Sequence, residues 1–384
     1  MNSGTYSPSE KVLVLGGGQL GRMLAEAATP LGVSVTVLDP DESPPAASIA
    51  EHIRGDFSDR DTILAASKGF DLVTIEIEHV NTEALYALEH VGVSVFPQAR
   101  IIEMVQDKLL QKRFLSAAGF PVVPVLEKPD PQRGAIRKSR FGGYDGNGVV
   151  FLKPGQAVFE TDSPPAQDLW FLEERVNVNA ELSVLVARDH AGNLAVYEPL
   201  QMMADQTRNL LTQVLWPADI GREIQNEALK IAGAVVDHLS GVGIFAIEFF
   251  VGDDGSVTIN EIAPRPHNSG HLTIEAAVTG QFEQHIRAIC GLPLGSPNRL
   301  RHAAMVNLIG EGSVGPPALS GISRALSIPE VHFHWYGKRA SRPGRKMGHL
   351  TICGQTAAEL RDRVIAAGDV IVQGETNDKH HNGQ

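Results

Sequence analysis

Two glutamates flank a predicted tight turn and could share one cation. Glu248 and Glu261 lie in apolar, β-prone runs on either side of residues 252–255, whose Gly and Asp suit a reversal of the chain. Symmetric closure of this hairpin pairs Gly252 with Val257 and places Glu248 directly opposite Glu261. Facing carboxylates repel each other, and oxygen ligands of this kind suit Mg²⁺. The pattern predicts a magnesium site at these two residues; the alternative is a solvated edge with two unrelated glutamates.

A lysine followed by a glycine-rich loop predicts a phosphate-binding lid. Lys138 precedes residues 142–148, a loop with four glycines. Glycine lets the backbone approach phosphates closely, and the ammonium group neutralises them. The loop lacks the Gly-Lys-Ser/Thr ending of the common P-loop, and a surface hairpin turn is the alternative. Lys108, on a predicted helix over 106–118, is a weaker candidate because an isolated helical lysine is usually solvated.

Two further charged segments could bind a nucleotide. Residues 173–176 leave a predicted strand with free backbone groups, and the carboxylate of Glu181 follows, which suits an adenine edge and a ribose. Residues 338–349 form a dense basic segment in an acidic protein, and a phosphate-bearing substrate needs such a clamp. Solvated charges are the alternative explanation for both segments.

A dinucleotide-type glycine motif lies near the start of the chain. Gly16, Gly18 and Gly21 follow an apolar strand, and Asp39 comes about twenty residues later. The motif indicates a tight turn that presents amide groups at a helix N-terminus, where an anion is favoured. An NAD-dependent dehydrogenase and a protein that binds a nucleotide monophosphate both remain open on this motif alone.

The elements that would position these residues alternate between strand and helix. Predicted strands at 12–15, 33–38, 71–75 and 93–96 separated by helices indicate a parallel, doubly wound α/β sheet. Later segments are of mixed α+β type, with strands around the glycine loop and at 181–187. Long helices are predicted at 222–239 and 357–367, and a smaller module follows residue 295.

Composition restricts the class of protein. A net charge of −12 argues against a broad nucleic-acid surface, which needs clustered Lys and Arg. Two cysteines, Cys290 and Cys353, are too few for a disulfide framework or a cysteine-rich zinc site. The start lacks the apolar core of a signal peptide, and no stretch approaches the roughly 20 apolar residues of a membrane span. We expect a soluble, cytoplasmic protein without a nucleic-acid or membrane partner.

Together these elements resemble the ATP-grasp superfamily over about residues 11–368. Within it, the chain is similar to the N5-carboxyaminoimidazole ribonucleotide synthases of purine biosynthesis. The resemblance is carried by four motifs at residues 16–23, 142–146, 260–271 and 345–349. It implies a Rossmann-like pre-ATP-grasp domain over 1–103, an ATP-grasp domain over 104–295 with a lid at about 120–180, and a small C-terminal substrate-binding domain over 296–374. The polar composition of residues 375–384 predicts a disordered tail.

The reaction implied by this resemblance uses ATP, bicarbonate and 5-aminoimidazole ribonucleotide. Bicarbonate attacks the γ-phosphoryl group to give carboxyphosphate, and the amine of the ribonucleotide then captures the carboxyl carbon or CO₂ released from it. The products are N5-carboxyaminoimidazole ribonucleotide, ADP and phosphate. The resemblance also suggests a homodimer.

The resemblance assigns roles residue by residue. Mg²⁺ would be held by Glu248 and Glu261. The nucleotide would be held by Lys108, Lys138, Gly143, Tyr144, Asp145, Gly146, Asn147, Gly148, Glu173, Glu174, Arg175, Val176, Glu181, Asn260 and Glu261. The resemblance assigns catalytic roles, at the transferred carboxyl group and at the substrate, to Arg265, His267, Asn268, Lys338 and Arg345. The ribonucleotide would contact Gln19, Glu76, Tyr144, Asp145, Ser269, Lys338 and Arg345.

Two positions depart from the family pattern. Asn147 stands where the family usually carries Arg or Lys, which removes one cation from the lid. The segment 198–209 lacks a histidine that the family often carries there. Three alternatives remain open on the sequence: a sibling ligase such as a formate-dependent glycinamide ribonucleotide transformylase, a nucleotide-binding protein without catalysis, and the dehydrogenase.

Overall fold

The N-terminal part of the chain forms a parallel sheet. The structure is a computed structural model that describes residues 10–142, 148–159, 167–205, 208 and 210–374. Five parallel strands lie in the order β3-β2-β1-β4-β5. Their bounds are β1 Lys11–Leu15, β2 Ser34–Asp39, β3 Glu51–Arg54, β4 Leu72–Ile75 and β5 Ser94–Phe96. The predicted doubly wound sheet is confirmed, and the short, polar strand β3 is an addition.

Helices cover this sheet because their apolar residues recur at helical spacing. They are α1 Gln19–Ala28, α2 Arg60–Ala66, α3 Thr82–His90 and α4 Ala99–Gln106. Leu20, Met23 and Leu24 of α1 are buried against the sheet, as their spacing predicts. The single helix predicted over 106–118 is wrong at its start. The chain breaks at Asp107, whose carboxylate caps a new helix, α5 Lys108–Ala117, by accepting from the amides of Leu109 and Leu110.

A small antiparallel sheet follows α5. Its strands β6 Val125–Leu126, β7 Ala135–Ser139, β8 Val149–Leu152 and β9 Trp170–Glu173 lie in the order β6-β9-β7-β8. The predicted loop residues 143–147 lie outside the described residues. Gly148 lies at the return of the loop with a φ of +82°, which favours glycine, and its carbonyl accepts from the amide of Ser139.

The central sheet carries the glutamate hairpin. Its first members are β10 Val178–Arg188, β11 Leu194–Val196, β12 Leu200–Asp205 and β13 Leu210–Trp216. Helix α6 Arg222–Leu239, with the bounds predicted from sequence, packs a buried apolar face on the sheet before the hairpin strands β14 Gly243–Gly252 and β15 Val257–Ala263. Two shorter helices, α7 Thr273–Ala276 and α8 Gln281–Ile289, follow.

The register of the hairpin differs from simple symmetric closure. Val251, not Gly252, lies opposite Val257, so that part of the prediction is wrong. An irregularity between Glu248 and Phe249 then shifts the pairing by one residue, and Glu248 lies opposite Glu261 as predicted. The bulge therefore brings the two carboxylates together.

The C-terminal segment extends the same sheet. Its elements are β16 His302–Gly312, β17 Pro317–Ser320, α9 Ile322–Leu326, β18 Val331–Trp335, β19 Lys346–Gly354, α10 Ala357–Ala367 and β20 Ile371–Gly374. Strand β16 pairs with β13, so the sheet runs continuously in the order β15-β14-β10-β12-β13-β16-β19-β18. Helix α10 has its predicted bounds, and the predicted tail over 375–384 lies outside the described residues. None of the helices in the described part of the chain is long and apolar enough to cross a membrane.

A buried histidine joins the N-terminal sheet to the central sheet. His285 on α8 accepts from the amide of Ile244 at Nδ1, over 3.1 Å, and its Nε2 lies 2.9 Å from Oγ1 of Thr74. The acceptor role of Nδ1 leaves the proton on Nε2, which donates to the threonine. Burial lowers the pKa of His285 to about 3.

This histidine predicts a loss of stability in acid. Between pH 6.5 and about 3 the unfolded chain protonates the imidazole while the folded chain keeps it neutral, so the unfolded state binds more protons. We expect the free energy of unfolding to fall by up to about 1.4 kcal/mol per pH unit from this group as pH is lowered through that window. Melting temperatures measured from pH 7 to 4 check it. His285→Gln, which keeps a donor and an acceptor, should give a shallower slope, and an equal slope contradicts the assignment.

Candidate active site

The two facing carboxylates form the centre of the site. Lys108 Nζ lies 2.8 Å from Glu261 Oε2, and Asn260 Nδ2 donates to Glu248 Oε2 over 3.3 Å. Lys138 Nζ donates to Oδ1 of Asn260 over 3.2 Å. The helix α5, the small sheet and the hairpin thus each contribute a side chain to one cluster.

The electrostatics of the pair are asymmetric. Burial and the neighbouring charges of Glu261 and Glu181 raise the pKa of Glu248 to about 8. Burial also acts to raise the pKa of Glu261, but the charge and hydrogen bond of Lys108, together with the charge of Lys138, hold that pKa below its usual value. Without a further cation, one of the two carboxylates is therefore disfavoured as an anion.

This donor set fits a hard cation that shares its shell with a ligand. The described residues contain no cluster of three or more His, Cys, Asp or Glu side chains suited to a metal. Two opposed carboxylates in a half-buried site supply oxygen ligands only, and Mg²⁺ usually takes one or two carboxylates together with phosphate oxygens and water. Glu248 and Glu261 therefore fit Mg²⁺ bound together with a phosphate-bearing ligand.

A neutral histidine lies against Glu248. His267 Nε2 is 3.3 Å from Glu248 Oε1, its Nδ1 is 2.8 Å from Oγ of Ser269, and that hydroxyl lies 2.8 Å from Oγ of Ser183. Burial, together with the charges of Arg265 and Lys346, lowers the pKa of His267 to about 3. The amide of Ser269 also donates to Nδ1, so the ring carries its proton at Nε2 and is a donor toward the carboxylates.

Arg265 has an unfilled donor. Its Nη2 lies 2.7 Å from Glu78 Oε1 and its Nη1 donates to the carbonyl of Pro266 over 3.0 Å. Its Nε is buried and has no hydrogen-bond partner among the described residues. Since buried donors are rarely left unpaired, an anionic ligand that accepts from Nε fits this position.

The predicted adenine and ribose residues lie at the exit of β9. The carboxylate of Glu173 is buried and paired with Lys112 and Lys138, so its oxygens are already engaged. Glu174 pairs with Arg133, and the backbone beyond it, at 175 and 176, lies outside the strands. Glu181 on β10 is half-buried near Glu248, and burial raises its pKa.

Other predicted residues lie farther from the carboxylate pair. Asn268 exchanges side-chain hydrogen bonds of 3.0 and 2.7 Å with Asn307 of β16, so it fastens the loop after β15 to the C-terminal strands. In the basic segment, Lys338 Nζ donates to the carbonyl of Lys346, and Arg345 Nη1 donates to the carbonyl of Ala340. Burial lowers the pKa of Arg345.

The basic segment faces the N-terminal unit. The charge of Asp41, in the loop after β2, acts on Arg345. A Cβ placed on Gly337 would lie 3.3 Å from Nη1 of Arg22 on α1. Lys346, at the start of β19, in turn acts on the pKa of His267. The segment thus lies between the glycine-rich turn of the first unit and the loop after β15.

The glycine-rich turn after β1 binds carboxylates of this same chain. The amides of Gly18 and Gly21 donate to the two oxygens of Glu76, over 2.6 and 2.7 Å, and the amide of Gly17 donates to Asp39 over 2.7 Å. A Cβ on Gly16, whose φ is +103°, would lie 2.4 Å from Cγ of Glu76, so this approach favours glycine. The amides that a dinucleotide pyrophosphate needs are engaged, which argues against the dehydrogenase alternative.

Sequence reasoning missed several residues that orient the predicted ones. They are Glu78 beside Arg265, Ser183 behind Ser269, Asn307 beside Asn268 and Lys112 beside Glu173. Only Lys112 carried a local signal, because it lies four residues after Lys108 and helical spacing places both on one side of α5. Of the remaining candidates, Gln19 begins α1 beside the glycine turn, and Tyr144 and Asp145 lie outside the described residues.

Three family models match consecutive parts of the chain. Residues 9–106 match the ribonucleotide synthetase preATP-grasp domain, residues 132–282 match the ATP-grasp domain, and residues 303–363 match the phosphoribosylaminoimidazole carboxylase C-terminal domain. With lysines from two elements facing a carboxylate pair on a hairpin, the fold and the site define an enzyme of the ATP-grasp class.

Solved structures and curated relatives narrow the class. The chain is 40% identical to N5-carboxyaminoimidazole ribonucleotide synthetase from Thermotoga maritima, with a TM-score of 0.86 over 95% of this chain and 100% of that one. It is 32% identical to the Aspergillus clavatus synthase in complex with ADP and 5-aminoimidazole ribonucleotide, with a TM-score of 0.81 over 94% of this chain and 98% of that one. The Pseudomonas aeruginosa synthase is 37% identical over 94% of this chain and 99% of its own length. The chain belongs to the N5-carboxyaminoimidazole ribonucleotide synthase family.

Some relatives are longer. The phosphoribosylaminoimidazole carboxylase of Schizosaccharomyces pombe is 39% identical over 95% of this chain, which spans 68% of that protein. The chain spans 65% of the chloroplastic enzyme of Vigna aconitifolia. The matched region is therefore nearly the whole of the Thermotoga maritima and Pseudomonas aeruginosa enzymes and about two thirds of these carboxylases.

Proposed function

We propose that this chain catalyses the ATP- and bicarbonate-dependent carboxylation of the amine of 5-aminoimidazole ribonucleotide. The proposal is supported chiefly by three residues that lie close together at and just after the second strand of the hairpin, β15. Glu261 lies in the carboxylate pair, Arg265 with its unfilled donor follows four residues later, and His267 contacts Glu248. A phosphoryl group and a carboxyl group could both be held there.

The first half-reaction joins bicarbonate to the γ-phosphoryl group. An oxygen of bicarbonate attacks phosphorus, the bond to the β-phosphate oxygen breaks, and ADP leaves with that electron pair. Lys108 and Lys138 would hold the triphosphate, and the backbone of 173–176 with Glu181 would receive the adenosine. Phosphoryl transfer depends chiefly on positioning and on neutralisation of charge, which these lysines supply.

Glu248 and Glu261 would hold magnesium. When bound, the ion would neutralise charge on the phosphate oxygens and on the two carboxylates. Other side chains of this chain position the two carboxylates. Asn260 orients Glu248 by its amide, and Lys108 holds Glu261.

The second half-reaction transfers the carboxyl group. The amine of the ribonucleotide attacks the carboxyl carbon, the bond from carbon to the phosphate oxygen breaks, and phosphate leaves while the amine loses a proton. Arg265 would hold the carboxyphosphate through Nε, and His267 would donate from Nε2 to the same group. The ribonucleotide would contact Tyr144 and Asp145 of the lid together with Lys338, Arg345, Gln19, Glu76 and Ser269.

These roles suggest a function for each domain of the chain. We propose that residues 1–103 and 296–374 receive the ribonucleotide and that residues 104–295, with a lid at about 120–180, receive ATP. A homodimeric assembly and a cytoplasmic location are further proposals that rest on the family resemblance alone.

The proposal is tested by phosphate release from purified protein with each substrate omitted in turn. We expect full release only with ATP, Mg²⁺, bicarbonate and 5-aminoimidazole ribonucleotide together, with one carboxylated product per phosphate. Formate and glycinamide ribonucleotide in place of the natural pair test the sibling ligase. ATP binding without any turnover would instead support a nucleotide-binding protein without catalysis.

The basic segment gives a separate prediction. Arg345→Ala should raise the KM for the ribonucleotide about tenfold, because one charge-assisted hydrogen bond to phosphate is lost. The KM for ATP should change less. Steady-state kinetics with each substrate varied check this, and the exposed Arg342→Ala in the same segment is the matched control. A larger effect on ATP would place Arg345 at the triphosphate.

A further inference from the structure

Two lysines share one buried carboxylate behind the proposed nucleotide site. Lys112 on α5 is 4% exposed and its Nζ lies 2.5 Å from Glu173 Oε1. Lys138 on β7 lies 2.7 Å from Oε2 of the same carboxylate, which is 2% exposed. Each oxygen of Glu173 therefore holds one ammonium group.

The charges of this triad do not cancel. Two ammonium groups and one carboxylate leave one positive charge in excess. Lys112 is the deeper of the two lysines, and besides its ion pair with Glu173 it donates to the carbonyl of Val123 over 3.3 Å. Lys138 instead donates to Asn260, whose amide reaches Glu248 in the carboxylate pair. The excess charge is thus presented by Lys138 on the side where phosphate would bind.

We propose that Lys112 is a positioning residue that keeps Lys138 available for the phosphates of ATP. It does so by taking one oxygen of Glu173, so that the carboxylate is shared and does not neutralise Lys138 alone. The inference rests on the proposed function, since it assumes an ATP site at Lys138. Without Lys112, Glu173 and Lys138 form a one-to-one pair with no net charge, and in a poorly solvated site such a pair is hard to separate.

A purely structural role for Lys112 is the competing explanation. Its bond to Val123 ties α5 to the segment before β6, and a buried lysine that loses its partner is destabilising in general. The two explanations differ in one respect. If only charge balance at Lys138 matters, then removal of the carboxylate together with Lys112 should restore phosphate binding.

The test is a double-substitution cycle on the full chain. Lys112→Met, Glu173→Gln and the double variant are titrated calorimetrically with Mg²⁺ and a non-hydrolysable ATP analogue, and the KM for the ribonucleotide is measured alongside. Lys112→Met should weaken binding of the analogue about tenfold, equivalent to one charge-assisted contact, and leave the KM for the ribonucleotide unchanged. The double variant should regain most of that loss, because Lys138 again carries an unshared charge.

Further variants separate the outcomes. Lys112→Arg keeps a cation against Glu173 and should bind like the unsubstituted protein, even if Lys112→Met folds poorly. Arg301→Met, which removes an ion pair with Glu330 in the C-terminal part, is the stability control and should bind normally. Three results would overturn the inference. Lys112→Met could bind the analogue normally, Lys112→Arg could lose as much affinity as Lys112→Met, or the double variant could bind no more tightly than Lys112→Met. Absence of binding by the unsubstituted protein would overturn the proposed ATP site itself.

Discussion

Glu261→Gln is expected to lower turnover by at least about a hundredfold while the fold stays intact. The amide has nearly the volume of the carboxylate, so the hairpin should keep its packing. The charge opposite Glu248 is lost, however, and with it the ion pair to Lys108. Two carboxylates suit a divalent cation, and one carboxylate with one amide holds it more weakly.

Phosphate release measured over a range of Mg²⁺ concentrations checks this prediction. If the loss lies in the metal site, high Mg²⁺ should recover part of the activity. Glu227→Gln on the exposed face of α6 is the matched control and should behave like the unsubstituted protein. Near-normal activity of Glu261→Gln at ordinary Mg²⁺ concentrations would contradict the proposal that Glu261 binds Mg²⁺.

Local patterns were enough to predict four strands of the N-terminal sheet, the glutamate hairpin and two long helices. Helices α6 and α10 have the predicted bounds, because long amphipathic segments repeat their signal over several turns. Strand β3, Glu51–Arg54, was missed because four mostly polar residues carry no periodic signal. Helix α4 was missed, and the helix predicted over 106–118 began two residues before α5, because only the cap geometry at Asp107 marks where α5 starts.

Pairings between distant segments were beyond local patterns. The turn residues predicted the hairpin, but they did not predict the bulge at Asn260 of β15 that aligns Glu248 with Glu261. The continuity of β13 with β16 joins residues about ninety positions apart. Periodicity within each strand carries no information about such partners.

The same limit applies to the candidate site. Residue types and spacing identified both the glutamates and the lysines. They did not indicate that Glu173 is engaged by Lys112 and Lys138, nor that Asn268 is engaged by Asn307. Such partners come from other elements and become visible only when the chain is folded. The glycine motif is the clearest case, since its amides bind Glu76, which follows β4 more than fifty residues away.

Arg265→Lys is expected to lower formation of the carboxylated product about a hundredfold, with little change in the KM for ATP. The guanidinium of Arg265 binds Glu78 with Nη2 and still has a buried Nε–H without a partner among the described residues. A lysine has one compact ammonium group, which cannot engage Glu78 and a ligand in this forked geometry. The proposed carboxyphosphate would then be held loosely and exposed to water.

Loose holding has a measurable consequence, because carboxyphosphate lost to water releases phosphate without forming product. The ratio of phosphate to carboxylated ribonucleotide should therefore rise above one in Arg265→Lys and stay at one in the unsubstituted protein. Arg299→Lys is the matched control, since it makes the same change in an ion pair with Glu198 over 2.9 Å. A ratio that stays at one while the KM for ATP rises would move Arg265 from the carboxyl group to the triphosphate. The ratio thus decides in which half-reaction Arg265 acts. If only carboxyl transfer is impaired, phosphoryl transfer continues and phosphate is released without carboxylated ribonucleotide.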